Sequence, residues 1–271
     1  MAFVRIRPAA PLHESISAIW DWQVEPGAFR LERILPSPGT QMIVNLLEDE
    51  TRVYADDAAR RCERTEGCVF SGQATRSFLI DTAEQVAVMG VEFQPGAAVR
   101  FLREPMHNLA DRHAALTALH LRGVAELRER LLAARDAPTR LRALEAWLRA
   151  RFAPSALHPA VEHALRSLDA APCASRVHAL IEASGYSARR FGTLFLDQVG
   201  VAPKRYARLQ RFRAAVTAVQ HGRRVEWAQV AADCGFHDQP HLVREFRAFA
   251  GMTPGEYVSM RGPHVNHVPL T

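Results

Sequence analysis

The chain has 271 residues, a formal net charge of +5 at pH 7, 48% hydrophobic residues and 23% charged residues, values that predict about two ordinary globular domains. No segment approaches the roughly 18 consecutive apolar residues of a membrane-spanning helix, and the first residues lack the apolar stretch of a secretion signal. The sequence therefore excludes a membrane-spanning protein and predicts a cytoplasmic one, in which the four cysteines are thiols.

The first half of the chain predicts short strands separated by turns. Segments 41–47, 77–80 and 86–93 are rich in aliphatic and aromatic residues and lie between groups of proline, glycine and polar residues. The charged stretches 48–50 and 56–66 predict exposed loops.

After Pro95-Gly96 the pattern becomes helical. Helices are predicted at 97–102, near 109–121, at 124–134 and at 140–152. We therefore expect residues 1–152 to form an α+β sensor or regulatory domain, a small antiparallel sheet or half-barrel with helices attached. Its last helices, within 123–152, have two interpretations, a dimerisation seam or a helix pair packed on the core of its own domain.

The cysteines and histidines do not predict a metal or cofactor site. Cys62 and Cys68 suggest a redox pair or half of a metal site, but a structural zinc site needs four ligands and no second close pair is present. The histidine groups, His107, His113 and His120 and the pair His264 and His267, have no carboxylate that completes a ligand set. Glycine-rich phosphate loops and nucleophile elbows are also missing, so no enzymatic activity is predicted.

A pattern occurs twice in the last third of the chain. The two copies consist of Gly185, Phe195, Gly200, Pro203 and Tyr206, and of Gly235, Phe246, Gly251, Pro254 and Tyr257. From the phenylalanine onward the copies are offset by 51 residues, whereas the first glycines are offset by 50. The second copy therefore has one extra residue between its first glycine and its phenylalanine.

Each copy predicts a helix-turn-helix. A short apolar-periodic segment precedes the glycine, which ends a helix because it adopts the left-handed conformation without a steric cost. Ser187 or Asp238 then caps a second helix. Two helices joined by a glycine turn form the motif whose second helix enters the major groove of DNA.

A long helix beginning at Pro203 is predicted between the two motifs. Its buried stripe comprises Tyr206, Leu209, Phe212 and Val216, and four cations lie largely off that stripe. About 17 residues span roughly 25 Å, a length that can hold two motifs apart along one face of a duplex. Residues 157–271 contain 14 basic and 9 acidic residues, whereas residues 1–156 contain 20 of each, so the net positive charge lies in this part.

The repeat resembles the signature of the AraC/XylS family of bacterial transcription regulators. The resemblance lies in the run from Trp227 to Phe246, in Gly251, Pro254 and Tyr257, and in the matching positions of the first copy. It extends over about residues 157–262, which we take as the DNA-binding domain, with 263–271 as a tail. Segments 35–39, 72–76 and 93–98 are similar to a subgroup of such regulators whose N-terminal domain is uncharacterised.

The resemblance implies a regulator that binds double-stranded DNA through two recognition helices in successive major grooves, modulated by a signal at the N-terminal domain. A small-molecule effector, RNA polymerase and a second copy of the chain are further partners that it leaves open. Two alternatives remain. One is a DNA-repair or effector-binding enzyme domain fused to the DNA-binding domain, and the other is a ligand-independent architectural binder.

Positions on the second helix of each motif predict the DNA contacts. Arginine pairs with guanine and glutamine with adenine in the major groove, whereas cations off the groove contact phosphates. The residues predicted to contact bases are Arg189, Arg190, Thr193, Gln239, His241 and Arg244. The residues predicted to contact phosphates are Ser187, Lys204, Arg205, Arg208 and Arg211.

Overall fold

The computed structural model describes residues 2–25, 31–55, 61–153, 157–220 and 225–270. The strands are β1 Ala2–Ile6, β2 Ile16–Gln23, β3 Leu31–Ile34, β4 Thr40–Asn45, β5 Glu50–Tyr54, β6 Cys62–Glu66, β7 Cys68–Ser71, β8 Phe78–Asp81, β9 Ala87–Phe93, β10 His113–Ala115 and β11 His267–Leu270. The α-helices are α1 Val124–Ala133, α2 Ala137–Arg149, α3 Pro159–Ala170, α4 Val177–Ser184, α5 Ala188–Val199, α6 Pro203–Val219, α7 Trp227–Asp233, α8 Gln239–Ala250 and α9 Pro254–Met260. Short 3-10 turns lie at Leu12–Glu14, Ala97–Arg100, Met106–Leu109 and Thr117–Leu119.

Two antiparallel sheets form the N-terminal part. The large sheet has the strand order β1-β2-β9-β4-β7-β10, and the small sheet has the order β11-β3-β8-β5-β6. The predicted strands at 41–47, 77–80 and 86–93 correspond to β4, β8 and β9 within one to two residues at each end. The N-terminal part therefore has the α+β architecture that the sequence predicts.

The large sheet buries one face in a core that it shares with the helices. Side chains alternate between the two faces of a strand, so Met42, Met89 and Val91 point to the same side. These residues lie in one cluster with the buried residues of α1 and α2, among them Leu131 and Leu144, both fully buried. The apolar stripes of α1 and α2 thus pack on their own sheet, the second of the two interpretations given for this helix pair.

Two sequence-based expectations in this half are wrong. Residues 109–121 were expected to be helical, but the segment contains β10, which pairs with β7 at the edge of the large sheet. Residues 62–66, expected in a loop, form β6 and pair with β5. In both places pairing with a distant strand determines the local structure, and local sequence preference does not report that pairing. Positions 56–60 of the expected loop lie outside the described residues.

Each helix-turn-helix has its own core, and α6 contributes to both. Tyr206 and Ala207, in the first turns of α6, belong to the core that contains Phe191 and Phe195. Later residues of α6, such as Phe212, belong to the core that contains the aromatic residues of α8. One rigid helix therefore carries both motifs, and the C-terminal part is all-helical up to Met260 among the described residues.

The segment after α9 returns to the N-terminal half. The strand β11 pairs antiparallel with β3, from His267 opposite Ile34 to Leu270 opposite Leu31. Val268 is fully buried in the core of the second motif, and Leu35, directly after β3, lies in the same core. The tail predicted at 263–271 thus contains an integral strand, and the small sheet packs directly against the DNA-binding part.

Candidate nucleic-acid interface

The predicted turns and caps of both motifs are present. Gly185 ends α4 with φ of 70°, and the Ser187 side chain accepts a hydrogen bond from the backbone N–H of Arg190. In the second motif Gly235 has φ of 72°, and the Asp238 side chain accepts from the N–H of His241 at 2.7 Å. That hydrogen bond lowers the pKa of the Asp238 carboxyl, so the cap is ionised at neutral pH. The helices α5 and α8 therefore begin where the sequence predicts.

The structure places the predicted base-contacting residues in the first half of α5 and α8. Arg189, Arg190 and Thr193 are exposed on α5, and Gln239 and Arg244 are exposed on α8. The Thr193 hydroxyl donates to the backbone oxygen of Arg189. The exposed residues include the fork-shaped and amide side chains that pair with base edges.

His241 is half-buried, whereas the other five are exposed, and its ring has partners within the protein. Its Nδ1 accepts a hydrogen bond from the N–H of His237 at 3.2 Å, and its ring packs edge-on against Phe236. Its Nε2 lies 3.9 Å from a Glu245 oxygen. A base contact from His241 would use the same Nε2, so this contact stays a prediction that requires Nε2 to turn away from Glu245.

The residues predicted to contact phosphates divide into two groups. Ser187 and Lys204 are exposed, and the described part of the chain gives Lys204 no ion pair. Arg205 instead donates to the backbone oxygen of Thr75 in the N-terminal half at 2.8 Å, and its guanidinium lies over the ring of Phe249. Arg211 is half-buried with its Nε enclosed. Among the cations predicted to contact phosphates, Lys204 is thus the most accessible to DNA.

Arg208 is held by a carboxylate of α8. Its Nε and Nη2 donate to the two oxygens of Glu245 at 2.9 and 2.8 Å, a bidentate pair. Glu245 is only 7% exposed, so the pair lies partly beneath the surface. The pair joins α6 to α8 within the second motif, and a phosphate contact from Arg208 would have to compete with it.

Replacing Arg208 with alanine is therefore expected to destabilise the protein by about 1–3 kcal/mol, because the buried carboxylate of Glu245 loses its bidentate partner. The double variant Arg208→Ala with Glu245→Ala should recover part of that loss. Urea unfolding of the two variants and of Lys204→Ala measures the effect. Unchanged stability of Arg208→Ala, together with a uniform loss of affinity for all DNA sequences, would support a phosphate contact instead.

The C-terminal ends of both recognition helices rest on the N-terminal half. Gly200, which ends α5, lies against the backbone of Met106, so closely that a Cβ there would stand 3.0 Å from the Met106 oxygen. Gly251, which ends α8, lies against the side chain of Arg33, and a Cβ there would stand 2.8 Å from the Arg33 Nη1. The N–H of Ser77 also donates to the backbone oxygen of Phe249 at 2.7 Å. The N-terminal half therefore contacts both motifs at the ends opposite to their predicted DNA-contacting residues.

A cavity of about 790 Å³ lies between the two sheets. Its floor is the second face of the large sheet, where Trp20, Gly90, Ile43 and Val69 form one row across four strands. The small sheet contributes Ile34, Phe78 and Ile80, and the segment 263–267 and Arg213 of α6 complete the lining. The cavity thus touches both halves of the protein, and its size is typical of sites for small molecules.

His113 is a titratable group of this cavity. Its ring packs edge-on against Phe78 with 4.6 Å between centroids. Burial lowers the pKa of His113 to about 4, because the charged imidazolium is poorly solvated there. The side chain is therefore neutral at physiological pH.

The free energy of unfolding is expected to fall as the pH drops from about 6.5 towards 4. In this range His113 is protonated in the unfolded chain but stays neutral in the folded protein, so protonation favours the unfolded state. Between pH 7.5 and 5.5 the loss should be about 1 kcal/mol. His113→Phe keeps a ring beside Phe78 but has no group that titrates there. Its free energy of unfolding should therefore fall by about 1 kcal/mol less than that of the unaltered protein between the same two pH values. Urea unfolding at both pH values tests this, and identical pH dependence of the two proteins would contradict it.

The cysteines form no disulfide among the described residues, where all four are free thiols. Burial raises the pKa of the Cys68 thiol to about 12, which leaves it protonated and weakly nucleophilic. The described part of the chain contains no group of three metal-ligating side chains, and in the same part no helix is long and apolar enough to cross a membrane.

Two family models match the chain. Residues 180–260 match a helix-turn-helix domain, and residues 4–115 match a domain of unknown function (DUF6597). The matched helix-turn-helix region covers α5 to α9 and most of α4. The chain therefore contains a helix-turn-helix domain at residues 180–260, the region in which its sequence resembles the AraC/XylS family of transcription regulators.

Several solved structures are similar to the chain at low identity. ToxT from Vibrio cholerae O395 is 10% identical with a TM-score of 0.46, and the match covers 97% of this chain and 99% of that one. The DNA-binding domain of the global transcriptional factor AdpA, solved with a target DNA, is 22% identical with a TM-score of 0.35, covering 38% and 92%. The C-terminal domain of AraT, a response regulator from Geobacillus stearothermophilus, is 16% identical with a TM-score of 0.37, covering 41% and 92%.

These TM-scores are low, and the likenesses carry no functional detail over to this chain. No curated protein sequence matches it.

Proposed function

We propose that the protein recognises a specific DNA sequence by placing α5 and α8 in two successive major grooves. The observation that carries this proposal is the common arrangement of the two helices. Near its capped N-terminus, each helix has exposed side chains of the kinds that contact base edges. At its C-terminus, each helix packs on the N-terminal half of the protein. A helix-turn-helix contacts base edges with the N-terminal residues of its second helix, so both helices present the required end.

The spacing of the motifs also supports two-groove binding. The 17 residues of α6 extend over roughly 25 Å, and half a motif is added at either end. One turn of duplex DNA is about 34 Å, which such an arrangement can span. We assign base contacts to Arg189, Arg190, Thr193, Gln239, His241 and Arg244. We assign phosphate contacts to Ser187 and Lys204, to Arg205 and Arg208 once their contacts within the protein are released, and to the half-buried Arg211.

The N-terminal half, residues 1–152, is proposed to act as the signal-receiving domain, with residues 157–262 as the DNA-binding domain. The cavity between the sheets supports this role, because it is lined by both halves and is large enough for a small molecule. A ligand bound there would contact α6 directly, and α6 carries both motifs.

Regulation of transcription further implies a cytoplasmic location and contact with RNA polymerase or a second copy of the chain. A dimer through α1 and α2 would use their outer faces, because their apolar stripes are buried in the core of their own domain. We propose that the protein acts by binding and not by catalysis. The buried, protonated Cys68 favours this view over a reactive-cysteine enzyme.

Selection of binding sites from random-sequence DNA, followed by footprinting, tests the proposal. We expect one asymmetric motif and a protected stretch of about 17–20 base pairs, the length of two half-sites one helical turn apart. Protection without a preferred sequence would contradict the proposal and favour an architectural binder. Metal analysis or thiol titration that finds a bound metal or a reactive cysteine in residues 1–150 would favour the enzyme alternative.

A further inference from the structure

Arg213 is a cation of the DNA-binding part that lines the cavity between the sheets. It lies on α6, and it borders both this cavity and a neighbouring one of about 460 Å³ lined by residues of both halves. Its Nη1 is buried and has no hydrogen-bond partner within the described residues. Burial lowers the pKa of Arg213 to about 10, so the side chain still carries its charge at neutral pH.

The charge of Arg213 is not balanced within the described part of the protein. No described carboxylate lies within 4.0 Å of its guanidinium. The carboxylates that line the same cavity have other partners or lie at its rim. Glu92 pairs with Arg5 at 2.7 Å, Glu32 pairs with His267 at 2.7 Å, and Glu25 is exposed. A buried cation without a counter-charge is costly, and the cost is offset when an anion arrives with a ligand.

A second polar group in the cavity lining also lacks a partner. The side-chain oxygen of Asn266, in the segment before β11, is buried without a hydrogen bond among the described residues. Asn266 borders the same two cavities as Arg213. Because an amide can present either its oxygen or its NH₂ group, Asn266 can donate to an acid group held by the guanidinium.

The rest of the lining is suited to an apolar body. Trp20 and Trp22 of the large sheet and Phe78 of the small sheet face the cavity with a set of aliphatic side chains, Ile34, Ile43, Val53, Val69, Ile80 and Val88. A ligand that matches the lining therefore has an aromatic or aliphatic body and one acidic group.

We propose that the signal molecule is a small organic acid with an apolar body, whose acid group binds Arg213 and Asn266 while its body lies between the two sheets. This inference rests on the proposed function, because it names the chemical class of the signal. A ligand held in this way contacts both sheets, α6 and the segment before β11 at once.

Two fluorescent probes of the same ring system test the charge requirement, 8-anilino-1-naphthalenesulfonate and the uncharged N-phenyl-1-naphthylamine. Arg213→Met removes the charge but keeps an unbranched side chain. It should lower the affinity for the anionic probe about tenfold or more, because hydrogen bonds to charged groups are strong. It should leave the uncharged probe unchanged. Lys204→Met makes the same charge change at an exposed position of α6 and should affect neither, whereas Arg213→Lys should retain part of the anion affinity.

Two further measurements show where the probes bind and test the proposal even if Arg213→Met does not fold. Ile43→Trp fills the cavity floor and should exclude both probes. In the unaltered protein 4-phenylbutyrate should displace the anionic probe about tenfold better than 4-phenylbutanol, which has the same body without the acid.

Equal binding of the anionic probe to Arg213→Met and the unaltered protein would overturn the proposal, as would equal displacement by the acid and the alcohol. If Ile43→Trp still binds both probes, the cavity is not their site and its proposed role in signal reception fails. DNA selection and footprinting remain independent of these results, so sequence-specific binding is tested separately.

Discussion

Replacing Gly235 with alanine is expected to destabilise the protein by about 3 kcal/mol, more than twice the effect of the same substitution at Gly185. The two glycines occupy equivalent positions of the repeat and have nearly the same backbone, with φ of 72° and 70°. An alanine at either position is therefore expected to lower the free energy of unfolding by the same amount, about 1 kcal/mol or slightly more, because it has to adopt a left-handed conformation.

The surroundings distinguish the two positions. A Cβ at Gly235 would stand 2.5 Å from the backbone oxygen of Cys173, whereas at Gly185 no atom lies within 4 Å. The backbone at Cys173 cannot rotate away as a flexible side chain can, so the second motif has to shift.

Urea unfolding of Gly235→Ala and Gly185→Ala measures both effects, and the difference between them isolates the steric contribution. Equal losses would mean that the segment at Cys173 moves freely and that the first motif does not restrain the second turn.

Replacing Arg189 with alanine is expected to weaken binding to the selected DNA site by about 1–3 kcal/mol and to relax the preference at one base position. Arg189 is exposed in the first turn of α5, and an arginine can pair with guanine through two parallel hydrogen bonds. Affinity for random DNA should change little, because that affinity depends mainly on phosphate contacts.

Lys204→Ala is the matched comparison, since it also removes one exposed cation of the DNA-binding part. We expect this variant to bind all DNA sequences more weakly by the same factor. The dependence of its affinity on salt concentration should fall by the amount expected for the loss of about one phosphate contact. Titration of the selected site and of random DNA at several salt concentrations separates the two roles. The assignment of Arg189 is wrong if both variants lose the same affinity on random DNA.

The DNA-binding part could be predicted from the sequence because its signals are local. Glycines at turns, side-chain caps such as Ser187 and Asp238, and a regular apolar stripe each determine structure within a few residues. Because the unit occurs twice, each copy supports the interpretation of the other. The one extra residue of the second copy falls in the turn between Gly235 and Asp238, because the caps Ser187 and Asp238 are already offset by 51 and the helices after them have the same length.

The N-terminal half was predicted less completely because its structure depends on distant pairing. The strand β10 consists of only three residues, and β6 is a charged segment with little strand preference. Each is a strand because it adds to the edge of a sheet whose other strands lie elsewhere in the sequence.

The positions of the predicted DNA-contacting residues could likewise be inferred only where the signals are local. Exposed residues of α5 were placed as expected, whereas the partners of Arg205 and Arg208 lie 130 and 37 residues away and could not be inferred from spacing. Arg213 carries no sequence signal either. It follows the same pattern of cations along α6, and only the packing of the two halves shows that it lines a cavity.

The pairing of β11 with β3 has a consequence for how the protein is made. During synthesis the small sheet cannot be completed when its own domain has emerged, because β11 follows the whole DNA-binding part in the chain. Until then β3 is an unpaired strand edge, the kind of edge that promotes association between nascent chains. The nascent N-terminal half is therefore at risk of aggregation until the second motif has folded and delivered its closing strand.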